Sequence, residues 1–176
     1  MLVFDIETNG LLYDVSQIHC ISTFDTKEEK TYVYNDQDDE TPSIRDGINQ
    51  IMEADTLAGH NLIGYDLAVL RKLSDGFHTD ATVIDTLVLS RLYHPNLMEI
   101  DRRLKEVGKI PRMPSQLYGR HSLEAYGHRL GEYKGEYGKT SDWKQWSQEM
   151  QDYCEQDVKV TTKLCEHFRP YLTRVD

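Results

Sequence analysis

The order of apolar and polar positions divides the chain into short strands followed by alternating strands and helices. Residues 2 to 7, Leu-Val-Phe-Asp-Ile-Glu, read as a buried strand, with further strands expected at 17–24 and 30–34. These three are expected to lie antiparallel, the last two joined through the charged turn at Lys27 to Glu29. A helix follows, with Thr41 as its expected N-cap, Pro42 in its first position, and Ile44, Ile48, Ile51 and Met52 as its apolar face. Residues 56–59 suggest a short strand, about 64–73 a helix, and Val83-Ile84 another short strand. Asp85 is placed to cap a helix running through Leu92. Asn96 is placed to cap the next, where Leu97, Ile100, Leu104 and Val107 repeat at helical spacing before Gly108. Residues 108–120 carry Pro111, Pro114 and Gly119 and read as loop; 122–130 reads as a helix stopped by Gly131. An exposed Gly- and Lys-rich loop is expected over 131–142, and a long final helix over about 143–171 with Pro170 near its end. The pattern describes an α/β domain with a mixed sheet covered by helices.

Carboxylates interrupt this pattern where apolar residues belong. Side chains alternate along a strand, so Leu2, Phe4 and Ile6 share one face, and Val3, Asp5 and Glu7 share the other. Two carboxylates therefore project side by side from a strand that otherwise reads as buried. On the final helix, Trp146, Met150, Tyr153, Asp157, Val160, Leu164 and Phe168 form one stripe, in which Asp157 is the single charge. Asp66 similarly shares a helical face with Val69, Leu70 and Leu73. Burying unpaired carboxylates together is costly, because each raises its neighbours' pKa. No Lys or Arg lies on these stripes. Divalent cations are the natural compensation, and an all-oxygen donor set suits Mg²⁺ or Mn²⁺ rather than zinc.

Bulk properties narrow the picture. A length of 176 residues fits one domain with its own core. No apolar run reaches the roughly 20 residues a membrane span needs, so no membrane partner is expected, and the N-terminus has no basic segment of the signal-peptide kind. Cys20, Cys154 and Cys165 are odd in number and have no zinc-ligand spacing, which suggests reduced thiols in a cytoplasmic setting. A net charge of −10 runs against phosphate binding by the surface as a whole. Nucleic-acid binding would have to rely on metal ions and a local basic patch, and Arg102, Arg103, Lys105, Lys109 and Arg112 form the densest basic stretch.

Three segments, in order, resemble the motifs of the DEDD (DnaQ-like) exonuclease superfamily: Asp5-Ile6-Glu7-Thr8, Gly59-His60-Asn61-Leu62-Ile63-Gly64-Tyr65-Asp66, and Tyr153-Cys154-Glu155-Gln156-Asp157. Tyr153, four residues before Asp157, is the mark of the tyrosine branch. Two further segments, Ile84 to Leu92 and His121 to Glu132, resemble the N-terminal proofreading domain of family-A DNA polymerases of short-tailed bacteriophages. The resemblance covers nearly the whole chain, from Met1 to about Leu164, without a polymerase domain after it, so residues 1–176 read as a single exonuclease domain.

This resemblance implies an RNase H-like fold and a 3′→5′ exonuclease using two ions of Mg²⁺ or Mn²⁺, with metals about 3.5–4 Å apart. Asp5, Glu7, Asp66 and Asp157 would be the metal ligands, with Asp5 bridging, and Tyr153 would orient the attacking water. Leu11, Asn61 and Thr8 would contact the substrate. Leu11 reads equally as a base-separating wedge or a plain loop leucine. Asn61 could bond the strand end or pin its loop, while His60 and Asp85 have structural explanations. The implied partners are single-stranded DNA 3′ ends and a separate DNA polymerase; the setting would be the host cytoplasm for a phage-encoded protein. A binding module and an RNA-directed exonuclease stay open as alternatives.

Overall fold

In a computed structural model, residues 1–132 and 142–172 are described. The expected loop over 131–142 therefore falls largely outside the described residues. The first three strands, β1 (Leu2–Thr8), β2 (Ile18–Asp25) and β3 (Lys30–Tyr34), form an antiparallel meander. After α1 (Ile44–Glu53), β4 (Thr56–Gly59) pairs parallel with β1. Then α2 (Asp66–Leu73) leads to β5 (Thr82–Asp85), which pairs parallel with β4, so the sheet order is β3-β2-β1-β4-β5. The rest of the described chain is helical: α3 (Thr86–Tyr93), α4 (Leu97–Glu106), a 3₁₀ turn at Ser115–Leu117, α5 (Leu123–Leu130) and α6 (Gln148–Leu172). The expected mixed sheet, antiparallel at its start and parallel beyond, covered by helices, is borne out.

The alternation along β1 sorts the core into two layers. Leu2, Phe4 and Ile6 pack with Leu67, Val69 and Leu70 of α2 and with Ile51 of α1 on one face. Val3 on the other face meets Ala58 of β4 and Val158 and Cys165 of α6. Farther along α6, Val160, Leu164 and Phe168 bury against Leu97 of α4 and Leu123 and Tyr126 of α5. The C-terminal half of the α6 stripe thus docks the helical layer, while Met150 and Trp146 pack with Cys20 of β2 and the one acid points back at the sheet.

Several helix ends differ from the sequence expectation. Helix α1 begins after Ser43, not Thr41-Pro42. The Ser43 side chain accepts from the Asp46 N–H, and the Asp46 carboxylate accepts from the Ser43 N–H at 3.0 Å, a reciprocal capping box. Thr41 is held instead in a turn by Asp38, to which it donates from its N–H at 2.6 Å. Helix α2 starts at Asp66 rather than Gly64, because Asn61 takes a left-handed φ of 63° and the chain turns there first. Helix α6 starts at Gln148 rather than near Trp143: Ser147 Oγ accepts from the Met150 N–H at 3.2 Å, and the Trp143 carbonyl lies 2.9 Å from His19 Nε2. Asn96 makes no side-chain cap, although its carbonyl accepts from Glu99 and Ile100. Gly131 ends α5 in the left-handed conformation, as expected.

Candidate active site

The site follows from how the sheet ends. Strand β4 pairs with β1 only through Leu2 and Val3, so β1 runs on past its parallel neighbour. Such a gap at the carboxyl ends of parallel strands is where open α/β sheets hold ligands. Gly59 permits the close approach: a Cβ there would lie 2.7 Å from Leu62 Cδ1 and 3.1 Å from the Phe4 carbonyl oxygen. Beyond Gly59 the loop 60–65 returns over the gap and delivers Asp66, whose Oδ1 accepts from the Ile6 N–H at 3.3 Å, a donor β4 leaves free. Asp85 fixes this loop. It caps α3 through the Leu87 N–H at 2.9 Å, as expected, and also accepts from the Asn61 and Ile63 N–H groups at 3.0 Å each. On the other side of β1, the register with β2 slips between Glu7 and Thr8. Bulges of this kind re-aim side chains at strand ends.

The result is a cleft of about 240 Å³ lined by Asp5, Ile6, Glu7, His60, Asn61, Tyr65, Asp66, Trp143, Tyr153 and Asp157. The five residues expected to be catalytic thus meet in one place, from strand β1, the start of α2 and α6. Glu7, Asp66 and Asp157 are buried and Asp5 is half-buried. No Lys or Arg lines this cleft among the described residues. Burial, and then the neighbouring Asp5 carboxylate, push the Asp66 carboxyl well above its ordinary range. Acidic oxygens crowded together without a protein cation are a fitting set for hard divalent ions.

The remaining expected residues lie around this cleft. Asn61 is exposed at its rim. Leu11 and Thr8 line an adjoining cleft of about 290 Å³ with Gly10, Tyr65 and Trp143. Leu11 is 62% exposed. Thr8 is buried, and its hydroxyl is engaged with the Tyr65 hydroxyl and the Gly10 carbonyl. Tyr65 also donates to the Gly10 carbonyl at 2.5 Å, which ties the Leu11 loop to the loop that carries Asp66. The basic stretch at 102–112 is not at the cleft: Arg102, Arg103 and Lys105 are exposed on α4, and Lys109 and Arg112 line a separate depression.

Sequence reasoning missed two features. A groove of about 620 Å³ leaves the carboxylates between α3 and the turn before α5, lined by Arg91, Arg120 and His121 as well as Asp5, Asn61 and Asp157. Burial holds the His121 pKa below its ordinary value, with Arg129 and Arg91 adding to the effect. The second feature is Cys154, whose Sγ shares a space with the Asp5 and Glu7 carboxylates, the three ligand atoms lying within 4.8 Å of one another. Cys154 is fully buried, and burial, then the adjacent Cys20 thiol, push its pKa well up, so it sits there as a neutral thiol. Its only sequence signal was its place between Tyr153 and Asp157.

Residues 2–169 match the sequence profile of the RNase H superfamily. The chain belongs to this superfamily. It is 36% identical over 188 residues to a DNA-directed DNA polymerase of Enterobacteria phage T3, and 36% identical over 192 residues to that of Escherichia phage T7. Each match covers 94% of this chain and 26% of the polymerase, so the chain spans about a quarter of the length of these relatives. Among solved structures, Brucella melitensis NrnC superposes with a TM-score of 0.62 at 18% identity, covering 98% of this chain and 74% of that one. NrnC also has a form with bound Mg²⁺. The expected kinship with RNase H-like exonuclease domains, including those of phage polymerases, is borne out.

Proposed function

We propose that this RNase H superfamily member is a metal-dependent 3′→5′ exonuclease. It releases nucleoside 5′-monophosphates one at a time from single-stranded or frayed DNA ends. The observation that carries the reading is the convergence of Asp5, Glu7, Asp66 and Asp157 in one cleft, beside Tyr153 and with no lysine or arginine in the lining among the described residues. Asp5, Glu7 and Asp157 would hold one divalent cation and Asp5 and Asp66 a second. When bound, two such ions of Mg²⁺ or Mn²⁺ would supply a water of lowered pKa and neutralisation of charge on the leaving 3′-oxygen. The Tyr153 hydroxyl, one helical turn before Asp157, orients that water toward phosphorus. Leu11, exposed beside the cleft, separates terminal bases, and Asn61 at the rim bonds the strand end. Thr8 serves the substrate indirectly, by holding Tyr65 and the Leu11 loop. Arg91 and Arg120 offer the strand a cationic wall that the net charge of −10 conceals, with His121 beside them as a neutral hydrogen-bonding group.

Kinship with phage polymerases favours DNA as the substrate and proofreading beside a polymerase as the use, in the host cytoplasm of a phage-infected cell. No helix among the described residues is long and apolar enough to cross a membrane. The test is digestion of 5′-labelled single-stranded DNA with Mg²⁺, with EDTA, and with Asp5→Ala. A ladder shortening from the 3′ end, lost in EDTA and in the variant, is the expected outcome. Intact substrate with folded wild-type protein and Mg²⁺ would count against the reading. Faster digestion of the matching ribo-oligonucleotide would move the substrate to RNA.

A further inference from the structure

The three cysteines are free and buried, and the proposed reaction uses none of them. One has an unusual placement. Cys154 Sγ lies 3.4 Å from the main-chain oxygen of Asp5 and 3.6 Å from Asp5 Oδ2. A thiol has one proton to donate, and here it faces both the carbonyl and the carboxylate of a single residue. That contact fixes the carboxylate relative to its own backbone, and so selects the Asp5 side-chain rotamer. Asp5 is half-buried at the mouth of the cleft, where the choice among staggered side-chain positions depends on such contacts.

The contact also joins two elements that carry the site. Cys154 follows Tyr153 and precedes Asp157 by three positions on α6, while Asp5 and Glu7 belong to β1. Met150 and Cys20 pack around the thiol, and Cys20 is the residue of β2 opposite Glu7 in the β1–β2 register. The apolar wall shields the thiol from water, which leaves its S–H the Cys20 sulfur and the two Asp5 oxygens, and the oxygens are the stronger acceptors.

We infer that Cys154 is a positioning residue: its thiol donates to Asp5 and sets the angle at which that carboxylate meets a divalent cation, registering α6 against β1 as it does so. The inference rests on the reading of Asp5 as a metal ligand. It goes beyond the motif, which fixes Tyr153 and Asp157 on this helix and leaves the three residues between them unassigned.

The test uses the full chain and inorganic Mn²⁺, whose unbound fraction is read by electron paramagnetic resonance. Cys154→Ala and Cys154→Val both remove the donor, one leaving a space and the other filling it; Cys154→Ser keeps a donor. Melting in EDTA establishes that each variant is folded. The expected result is Mn²⁺ affinity weakened about fivefold in Ala and Val, the size of one modest hydrogen bond, and kept within about twofold in Ser. With labelled DNA, Ala and Val are expected to need more metal for half-maximal kcat at an unchanged KM for the oligonucleotide. Unchanged Mn²⁺ affinity in Ala and Val, or equal weakening in Ser, would overturn the inference, since packing alone would then explain the residue; so would a wild-type protein that binds no Mn²⁺. If the wild type binds Mn²⁺ in the expected order with its variants but degrades no oligonucleotide, Cys154 keeps its role and the exonuclease reading fails instead.

Discussion

Replacing Asp66 with Asn separates the cost of assembling the site from its use. Asp66 is 4% exposed, and its carboxyl is raised first by burial and then by Asp5. The sign follows from linkage. A carboxyl whose folded pKa lies above its unfolded value takes up a proton on folding, so the contribution of Asp66 to the stability of the metal-free protein is complete at acid pH and is lost as pH rises through the raised value. Near neutrality the wild-type cleft is therefore under strain that a cation relieves. Asparagine has nearly the same shape and can keep the acceptor for the Ile6 N–H, but it carries no charge. Relief of a poorly compensated buried group is worth about 1–3 kcal/mol. At about 2–4 °C per kcal/mol for a chain of this size, Asp66→Asn should melt about 2–12 °C higher than wild type in EDTA at neutral pH. With Mg²⁺ at about one hundred times its dissociation constant, wild type should gain about 2.7 kcal/mol, or about 5–11 °C. The variant should gain much less, and its nuclease activity should fall by about 10²-fold or more, as when one preorganised electrostatic group is removed. Calorimetric melts with and without Mg²⁺ across pH 5 to 8 read the stabilities, and digestion of labelled DNA reads the activity. A variant that is less stable than wild type in EDTA, yet keeps the full Mg²⁺ shift, would refute the account of Asp66 as a strained ligand.

Two further predictions concern the scaffold. Arg129 donates to both oxygens of Asp101 at 2.7 Å, joining α5 to α4 with side chains 5% and 0% exposed; Arg129→Leu strands a buried carboxylate at a cost of about 3–5 kcal/mol, a melting point about 6–20 °C lower, and a loss below 1 kcal/mol by denaturant titration would contradict it. His94, which ends α3, faces His167 of α6 with Nε2 atoms 2.8 Å apart, and burial holds both pKa values below the ordinary one. Stability from the neutral pair is complete above about pH 6.5 and is lost as pH falls below it; His94→Gln should flatten the decline in melting temperature between pH 7 and 5, and an unchanged slope would remove the pair from the acid response.

What could be read from the sequence was whatever depends on periodicity. The alternation of β1 placed Asp5 and Glu7 on the face that meets α6, and the α6 stripe placed Asp157 opposite them, because side-chain direction in regular elements is set by the backbone. Helix boundaries were less legible, since they turn on local competition: Ser43 takes the cap of α1 because Asp46 can reciprocate, while Thr41 is already bound to Asp38. Contacts between distant segments were not legible at all. Nothing in the spacing of Asp101 and Arg129, of Arg91, Arg120 and His121, or of Cys154 and Asp5 signals that the chain returns to the same place.

That division explains why the acidity of the chain misleads about its ligand. Net charge counts every carboxylate equally, whereas Asp5, Glu7, Asp66 and Asp157 are gathered where β1 outruns β4 and the sheet supplies no cation. With metal bound, such a cluster ceases to repel phosphate and becomes the strongest local attraction for it. On the proposed function, the arginines that would matter to a strand are those beside the carboxylates, on α3 and before α5, rather than the longer basic run on α4. Neutralising Arg91 and Arg120 should for that reason weaken DNA binding and its salt dependence more than neutralising Arg102 and Arg103, although both pairs change the net charge equally.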